Sequence, residues 1–169
     1  MTVRKIYKYP HPVLRQKCAE IDVSAIVSAE MQALITDMLE TMYDMPGAVG
    51  LAAPQIGEAV RLLVIDVTAT GTREELKVII NPVITQQSRN KSVREGCLSF
   101  PEYLANTKRA TKVTFEAYDQ TGVLQTYNVR DLEAIAVQHE MDHLDGVLMI
   151  DRITSLKTDW IRRQPKPNI

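Results

Sequence analysis

The segment whose residues most clearly could do chemistry is His139-Glu140-Met141-Asp142-His143, which holds two of the three histidines of the chain. Residues four positions apart on a helix share one face, so two imidazoles at this spacing can bind one metal ion. The glutamate between them can reach a water molecule bound at the same ion. We favour this interpretation over the alternative of two hydrogen-bonded core histidines. The spacing therefore predicts a metal site on a helix.

The residues around this segment support the helix. Leu132, Ile135 and Ala136 lie seven, four and three positions before His139, so helical periodicity puts all three on the face that carries the histidines. Gly146 follows the segment as a helix stop signal. An apolar face of this kind packs inward, so we expect the two imidazoles to be buried.

A metal held by two histidines needs at least one more protein ligand, and the residues alone leave several candidates. Zinc protease patterns do not supply it, because no glutamate follows Glu140 and Met149 stands where one pattern needs a histidine. His11 lies between two prolines and suits a surface or capping role, and Cys18 suits packing as a small apolar side chain. Cys97 follows a glycine in a segment that we expect to be a loop approaching the metal. Carboxylates at other positions remain possible ligands.

Length and composition indicate one domain spanning residues 1–169. The chain is 45% hydrophobic, and 20 basic against 21 acidic residues leave a formal charge of -1. Such a balance excludes a strong global field for binding nucleic acid or an anionic membrane. No apolar run reaches membrane-spanning length, and the first residues lack the apolar region of a signal peptide. With only two cysteines, these features favour a cytoplasmic protein without a disulfide framework.

Hydrophobic periodicity predicts an α+β fold. Residues 25–44 have helical spacing of apolar side chains and predict an N-terminal core helix. Buried strands are expected at 60–67 and 77–80, and a hairpin at 112–118 and 123–129 around a four-residue turn. These elements predict mostly antiparallel sheets packed around a central metal-binding helix. The basic, proline-broken residues 161–169 predict a loose C-terminal tail.

Three motifs resemble the signature motifs of the peptide deformylase family, and they occur in the order of that family. They are Gly50-Leu51-Ala52-Ala53-Pro54-Gln55, Glu95-Gly96-Cys97-Leu98-Ser99 and Gln138-His139-Glu140-Met141-Asp142-His143. The similarity runs from Tyr9-Pro10-His11-Pro12 to Asp151-Arg152 and so covers nearly all of the chain. One departure is Ala48, which stands where the family usually has a glycine two positions before Gly50. We expect this change to alter the local backbone conformation and the fit of inhibitors, but not the chemistry.

The resemblance implies a metallohydrolase that removes the formyl group from the N-terminal N-formyl-methionine of nascent polypeptides and releases formate. It assigns the metal ligands to Cys97, His139 and His143, with one divalent ion per chain. Fe²⁺ is the ion that the resemblance favours, while the mixed sulfur and nitrogen ligands also suit Zn²⁺, Ni²⁺ or Co²⁺. Glu140 matches the general base that activates the metal-bound water. Gln55 and the backbone N–H of Leu98 match the donors to the oxyanion.

The resemblance also implies where the substrate binds. Seven positions match those that hold the methionine side chain or let the peptide backbone approach closely: Val49, Gly50, Val93, Gly96, Leu132, Ile135 and Ala136. We further expect Glu95 and Arg109 to form an ion pair that supports the Cys97 segment. The implied partners are N-formyl-methionyl nascent peptides, with association with the ribosome left open. No nucleic-acid specificity and no membrane partner are expected.

Two other classes of function remain to be compared with this one. In a thiol hydrolase, Cys97 would be the nucleophile and His139 the base, but the second histidine would then have no role. Chelators would inactivate a metallohydrolase and spare such a thiol enzyme. A closed structural metal site in a binding module would instead need a fourth protein ligand. Water exchange at the metal distinguishes that site from an open catalytic one.

Overall fold

The computed structural model describes residues 2–68 and 72–164. In chain order, the α-helices and strands are α1 (Ala29–Asp44), β1 (Gly50–Ala52), β2 (Leu62–Ile65), β3 (Lys77–Cys97), β4 (Phe100–Tyr118), β5 (Leu124–Arg130), α2 (Asp131–Leu144), α3 (Leu156–Asp159) and β6 (Trp160–Arg162). Short 3-10 helices occupy Pro12–Arg15, Val23–Ala25, Ala53–Ile56 and Met149–Asp151. The α+β fold with an N-terminal core helix and a central helix bearing the histidines is confirmed.

One antiparallel sheet of six strands organises the described residues. Its strand order is β1-β2-β3-β4-β5, and β6 pairs with β4. The predicted hairpin is confirmed as β4 and β5, with Gly122 at φ +81° in the turn between them. The strand expected at 77–80 continues to Cys97, however, so that β3 and β4 form a long hairpin that the periodicity did not predict. The middle of β3 is exposed on both faces from Gln86 to Lys91, and the alternation that marks a half-buried strand is therefore absent there.

The helices cover the sheet and bury two of its apolar surfaces. Helix α2 packs against β1, β2 and β4, and its Val137 and Leu144 join a core that includes Phe115 of β4. Helix α1 begins after Ser28, whose hydroxyl accepts a hydrogen bond from the Met31 N–H. A second apolar cluster contains α1 side chains together with residues of β1 and β2. Helix α2 is thereby held against β1, which carries Gly50, and against β4, the strand that pairs with β3.

The end of the chain differs from the sequence prediction. Residues 161 and 162 belong to β6, in which Ile161 pairs with Leu104 and Arg162 with Tyr103, so a loose tail beginning at 161 was wrong for these two residues. The part of that predicted tail at 165–169 lies outside the described residues. Of the helices at 2–68 and 72–164, none has both the length and the apolar character that crossing a membrane requires.

Candidate metal centre

The three predicted metal ligands converge at one buried point. One ligand atom from each of Cys97, His139 and His143 lies within 4.8 Å of the others. The Cys97 Sγ is 3.3 Å from the His143 Nε2, and the two imidazole rings are 5.2 Å apart. All three side chains are buried. The helical spacing of the histidines therefore brings the two imidazoles together, and Cys97 lies beside them.

Different elements deliver the cysteine and the histidines. Helix α2 carries both histidines on its inner face one turn apart, whereas Cys97 is the last residue of β3. The expected loop at residue 97 was wrong: Cys97 still pairs with Phe100 of β4, after a register shift that follows Gly96. Such an irregularity redirects a side chain at the end of a strand. Because Leu98 and Ser99 alone connect β3 to β4, the thiol is held on a tight turn.

Glu95 orients His139. Its carboxylate Oε2 lies 2.8 Å from the His139 Nδ1, which leaves the Nε2 of that ring for a metal ion. Arg109 donates to both oxygens of Glu95, from Nε at 2.9 Å and from Nη2 at 3.1 Å, and Thr107 donates from its hydroxyl. Burial alone would raise the pKa of Glu95, but the hydrogen bonds from His139 and Arg109 lower that pKa to about 2. The predicted Glu95–Arg109 ion pair is therefore present and buried.

The Glu95–Arg109 ion pair is part of a larger charged network that reaches the surface, and the sequence analysis did not predict its other members. Arg109 Nη1 donates to Asp142 Oδ2 at 2.6 Å, and Arg152 Nε donates to the same oxygen at 3.0 Å. Negative and positive side chains alternate along this chain of contacts, in the order Glu95, Arg109, Asp142 and Arg152. Each buried charge therefore has a partner of opposite sign. A signal for Asp142 existed in the sequence, because this residue lies on α2 beside His143. For Arg152 and Thr107, the sequence held no comparable signal.

Without a metal ion, the pKa values of the two imidazoles shift in opposite directions. Burial disfavours the charged form of His139, but Cys97 and Glu95 outweigh it and hold the pKa of His139 well above its ordinary value. Burial and the neighbouring His139 hold the pKa of His143 well below its ordinary value. Metal ions bind imidazole in its neutral form, so both shifts describe the metal-free protein.

Glu140 lies against a glycine that leaves room for its side chain. A Cβ atom added to Gly50 would lie 2.8 Å from the Glu140 Oε1 and 2.9 Å from its Cγ. Burial raises the pKa of the Glu140 carboxyl to about 7. Among the described residues, no group hydrogen-bonds to the buried Oε2 of Glu140. This oxygen is therefore available to a ligand or a water molecule.

Gln55 is fixed at the end of the first motif. It lies in the 3-10 helix Ala53–Ile56, and its Oε1 accepts a hydrogen bond from the Ala52 N–H at 3.0 Å. Its Nε2 donates to the Ser99 hydroxyl at 3.2 Å and lies 3.6 Å from the Cys97 Sγ. The amide group therefore points from β1 toward the candidate ligands. Leu98, the third predicted catalytic residue, directly follows Cys97 and is partly buried.

The seven predicted substrate-binding residues differ in exposure. Gly50 and Ala136 are buried, and Val49, Val93 and Ile135 are partly buried, whereas Leu132 is 52% exposed. Gly96 is exposed, although the cysteine next to it is buried. On β3, Val93, Glu95 and Cys97 lie two positions apart, so the two-residue period of a strand puts all three on the inner face. The structure thus brings Gly50 to Glu140 and Gly96 to Cys97, while Leu132 lies outermost on α2.

The donor set fits a divalent metal ion. One thiol and two imidazoles are ligands that zinc and the first-row transition metals accept, and three protein donors leave a fourth tetrahedral position open. Among the described residues, the metal-binding group has these three members. Within that same part of the chain, the buried His143 Nδ1 and Glu140 Oε2 have no hydrogen-bond partner. His11 and Cys18 play the other roles predicted for them, since His11 caps a 3-10 helix and Cys18 packs in the core.

Comparison with known proteins identifies the fold and the chemistry. A family model described as polypeptide deformylase matches residues 3–159. The chain belongs to the polypeptide deformylase family. The peptide deformylase of Rhizobium meliloti is 45% identical over 165 residues, which are 97% of this chain and 92% of that protein. That of Agrobacterium fabrum is 46% identical and covers 95% of this chain and 93% of its own length.

Solved peptide deformylase structures share this architecture. The crystal structure from Legionella pneumophila has a TM-score of 0.85 at 40% identity and covers 92% of this chain and 89% of its own. A peptide deformylase from Synechococcus elongatus, in complex with actinonin, has a TM-score of 0.82 at 35% identity, covering 92% and 81%. As a polypeptide deformylase, the chain is a metal-dependent hydrolase that removes N-formyl groups. This excludes the closed structural site and the metal-free thiol hydrolase as its function.

Proposed function

We propose that this chain hydrolyses the formyl group of N-formyl-methionyl peptides with Glu140 as the general base. The observation that carries this assignment is the position of Glu140, which is buried beside the three metal-binding side chains and has an oxygen that no described residue binds. The reaction adds one water to the formamide, breaks its C–N bond, and yields formate and a free amino group. In this reaction the attacking water needs a group that accepts its proton, and the departing amine needs a group that donates one.

Glu140 can serve in both steps. Its carboxylate accepts a proton from the attacking water, and the resulting carboxylic acid donates that proton to the nitrogen of the departing amine. Burial raises the pKa of Glu140 to about 7 without a metal ion, and a neighbouring cation would lower this pKa toward the carboxylate form that accepts the proton. Gly50 supports the role, since the absence of its side chain lets Glu140 occupy this position.

We propose that Cys97, His139 and His143 hold one divalent ion, with Fe²⁺ as the native metal. Such an ion, when bound, polarises the formyl oxygen and lowers the pKa of the attacking water. Glu95 supports this set of ligands because its carboxylate accepts a hydrogen bond from the His139 Nδ1, which keeps the imidazole ring in one orientation. The donor set alone accommodates Zn²⁺, Ni²⁺ and Co²⁺ equally, so the preference for Fe²⁺ rests on the family.

Gln55 and Leu98 are the proposed donors to the oxyanion that forms when water attacks the formyl carbon. Gln55 Nε2 has two hydrogens, and the one directed to Ser99 fixes the orientation of the amide. The other points toward Cys97 across 3.6 Å, a long contact that it can leave for a stronger acceptor. The Leu98 backbone N–H follows Cys97 on the same tight turn, so both donors lie next to the metal-binding side chains. Donors fixed in advance stabilise charge that develops only in the transition state.

The substrate backbone fits between two strand edges. Within residues 2–68 and 72–164, strand β1 pairs only with β2, and the part of β3 that follows residue 80 pairs only with β4. An extended peptide lying between these edges would satisfy backbone groups on both sides, with Gly50 and Gly96 allowing its close approach. We assign the methionine side chain to the inner face, where its burial contributes about 1.5 to 3 kcal/mol. The proposed lining is Val49, Val93, Leu132, Ile135 and Ala136.

The proposed setting of the reaction follows from the substrate. Formyl-methionine begins newly made chains, so we propose that the protein acts in the cytoplasm on peptides emerging from the ribosome. A direct contact with the ribosome is the narrower part of this proposal. Cosedimentation of the purified protein with translating and with vacant ribosomes tests it, and absence from both pellets would restrict the partner to the peptide itself.

The general base is tested by Glu140→Gln, which keeps the size of the side chain but removes its basicity. We expect metal content to be retained and the turnover of a formyl-Met peptide to fall by about 10² to 10⁴. Formate release measures turnover, and elemental analysis measures the metal. Turnover within a few-fold of the parent protein would reject Glu140 as the base.

A further inference from the structure

The guanidinium group of Arg163 covers the outer face of β3 at Gly96. A Cβ atom added to Gly96 would lie 2.3 Å from the Arg163 Nη2 and 3.6 Å from its Cζ. Arg163 follows β6 and lies beyond the residues that the family model matches, 3–159. We propose that Arg163 contacts the residue after the formyl-methionine and favours an acidic side chain there. This inference rests on the proposed deformylase function.

Strand pairing explains how Arg163 reaches this position. Gly96 of β3 pairs with Leu104 of β4, and Leu104 pairs with Ile161 of β6. These three residues form one row across the sheet, and Arg163 lies two positions after Ile161, on the same face. The Arg163 backbone N–H donates to the Glu102 carbonyl at 2.8 Å, which extends the alignment of this segment with β4. The arginine side chain then crosses Leu104 and ends over Gly96.

The face on which Arg163 lies determines which part of the substrate it can contact. Glu95 and Cys97 are buried on the inner face of β3, whereas Gly96 between them is exposed on the outer face. A peptide alongside this edge alternates in the same way, so a methionine on the inner face puts the next side chain on the outer face. That side chain would stand about 4.8 Å across from β3 and about 3.4 Å further along. A guanidinium group over Gly96 is within reach of it.

The charge around this position favours an anion. Among residues 2–68 and 72–164, Arg163 forms no salt bridge, and its Nε makes one long contact of 3.5 Å to the Tyr103 carbonyl. Its neighbour Arg162 is instead paired with Glu102 at 3.6 Å. Arg94, two positions before Gly96 on the same face, adds a second cation and donates to the Asn106 side chain. An acidic second residue would meet positive charge here, and a lysine would be repelled.

Three peptides that differ only at the second residue test this inference: formyl-Met-Asp-Ala, formyl-Met-Asn-Ala and formyl-Met-Lys-Ala, each amidated at its C-terminus. Aspartate and asparagine have nearly the same shape, so the ratio of their kcat/KM values isolates charge. For the parent protein we expect aspartate to exceed asparagine by about two- to five-fold, the range of an exposed ion pair, with lysine lowest. The ratio should fall toward one at high ionic strength.

The variants locate the effect at one side chain. Arg163→Gln should bring the Asp/Asn ratio close to one, and Arg163→Lys should restore part of it because the positive charge remains. Arg162→Gln is the matched control, since it removes a neighbouring arginine whose partner is Glu102, and it should leave the ratio as in the parent. The change is expected in KM rather than in kcat, because the contact is the same in the ground and transition states.

The outcomes separate this inference from the proposed function. If the parent protein deformylates none of the three peptides, the proposed function is wrong. If it deformylates all of them with the same Asp/Asn ratio before and after Arg163→Gln, deformylation stands and the role of Arg163 is rejected. An equal gain in kcat/KM for all three peptides in Arg163→Gln would also reject that role, because the guanidinium would then only obstruct the groove.

Discussion

Gly50→Ala should separate the position of the general base from binding of the metal. The added Cβ would lie 2.8 to 3.1 Å from three atoms of the Glu140 side chain, whereas ordinary contacts between such atoms are about 3.5 Å or more. Glu140 must therefore move by roughly 0.7 Å. Gly50 has no positive φ, so alanine adds no backbone strain of its own. The whole effect should act through the displaced carboxylate.

The magnitude follows from that displacement. A misplacement of about 1 Å in a reacting group can cost about 10²-fold in rate, which corresponds to about 2.7 kcal/mol in the activation free energy. We therefore expect kcat for a formyl-Met peptide to fall about 10²-fold in Gly50→Ala. Metal content should stay at one ion per chain, since the three atoms nearest to the added methyl all belong to Glu140 and none to a ligand side chain. Formate release and elemental analysis are the two measurements.

Gly47→Ala is the matched control. Gly47 has φ +76°, and a Cβ atom there would meet nothing within 4 Å. This variant should lose about 1 to 2 kcal/mol of stability from the strained backbone, measured by denaturant unfolding, and keep its turnover. The reasoning is refuted if Gly50→Ala works within about three-fold of the parent, or if both variants lose activity equally. Loss of metal from Gly50→Ala would mean that α2 moved, rather than the side chain of Glu140 alone.

Three further predictions test the other parts of the site. Cys97→Ala should release the metal because two imidazoles make a poor site, while His11→Ala should retain it, and elemental analysis showing the reverse would mean that the third ligand is wrong. Gln55→Ala should keep the metal and lower kcat by about 10² to 10³, whereas an unchanged kcat with a raised KM would limit Gln55 to binding. The Fe²⁺ form should lose activity in air within the time of a purification, while the Ni²⁺ form persists, because both the ferrous ion and its thiolate ligand are oxidisable. Equal decay of matched preparations would point to damage elsewhere in the protein.

The sequence determined the features that depend on local spacing. The histidine pair follows from the period of one helix, and α2 buries Ala136, His139 and His143 as predicted, whereas Leu132 of the predicted face is exposed. The β4–β5 hairpin follows from alternation around a turn. The residues adjacent to His11 and Cys18 in the sequence also predicted their roles in helix capping and core packing. Each of these conclusions needs only residues within about one turn or one strand of each other, because helix and strand periodicities are local. The resemblance in three motifs then connected the separate segments.

Only the tertiary structure decided which distant residues meet. The middle of β3 has polar side chains on both faces, so no pattern marked this strand beyond residue 80, yet its pairing with β4 brings Thr107 and Arg109 to Glu95. Asp142 and Arg152 extend that network because α2 and the chain after it pack against the hairpin. The position of Arg163 over Gly96 depends on pairing across three strands. Sequence separation carries no information about such contacts, since register and packing across the sheet bring these side chains together.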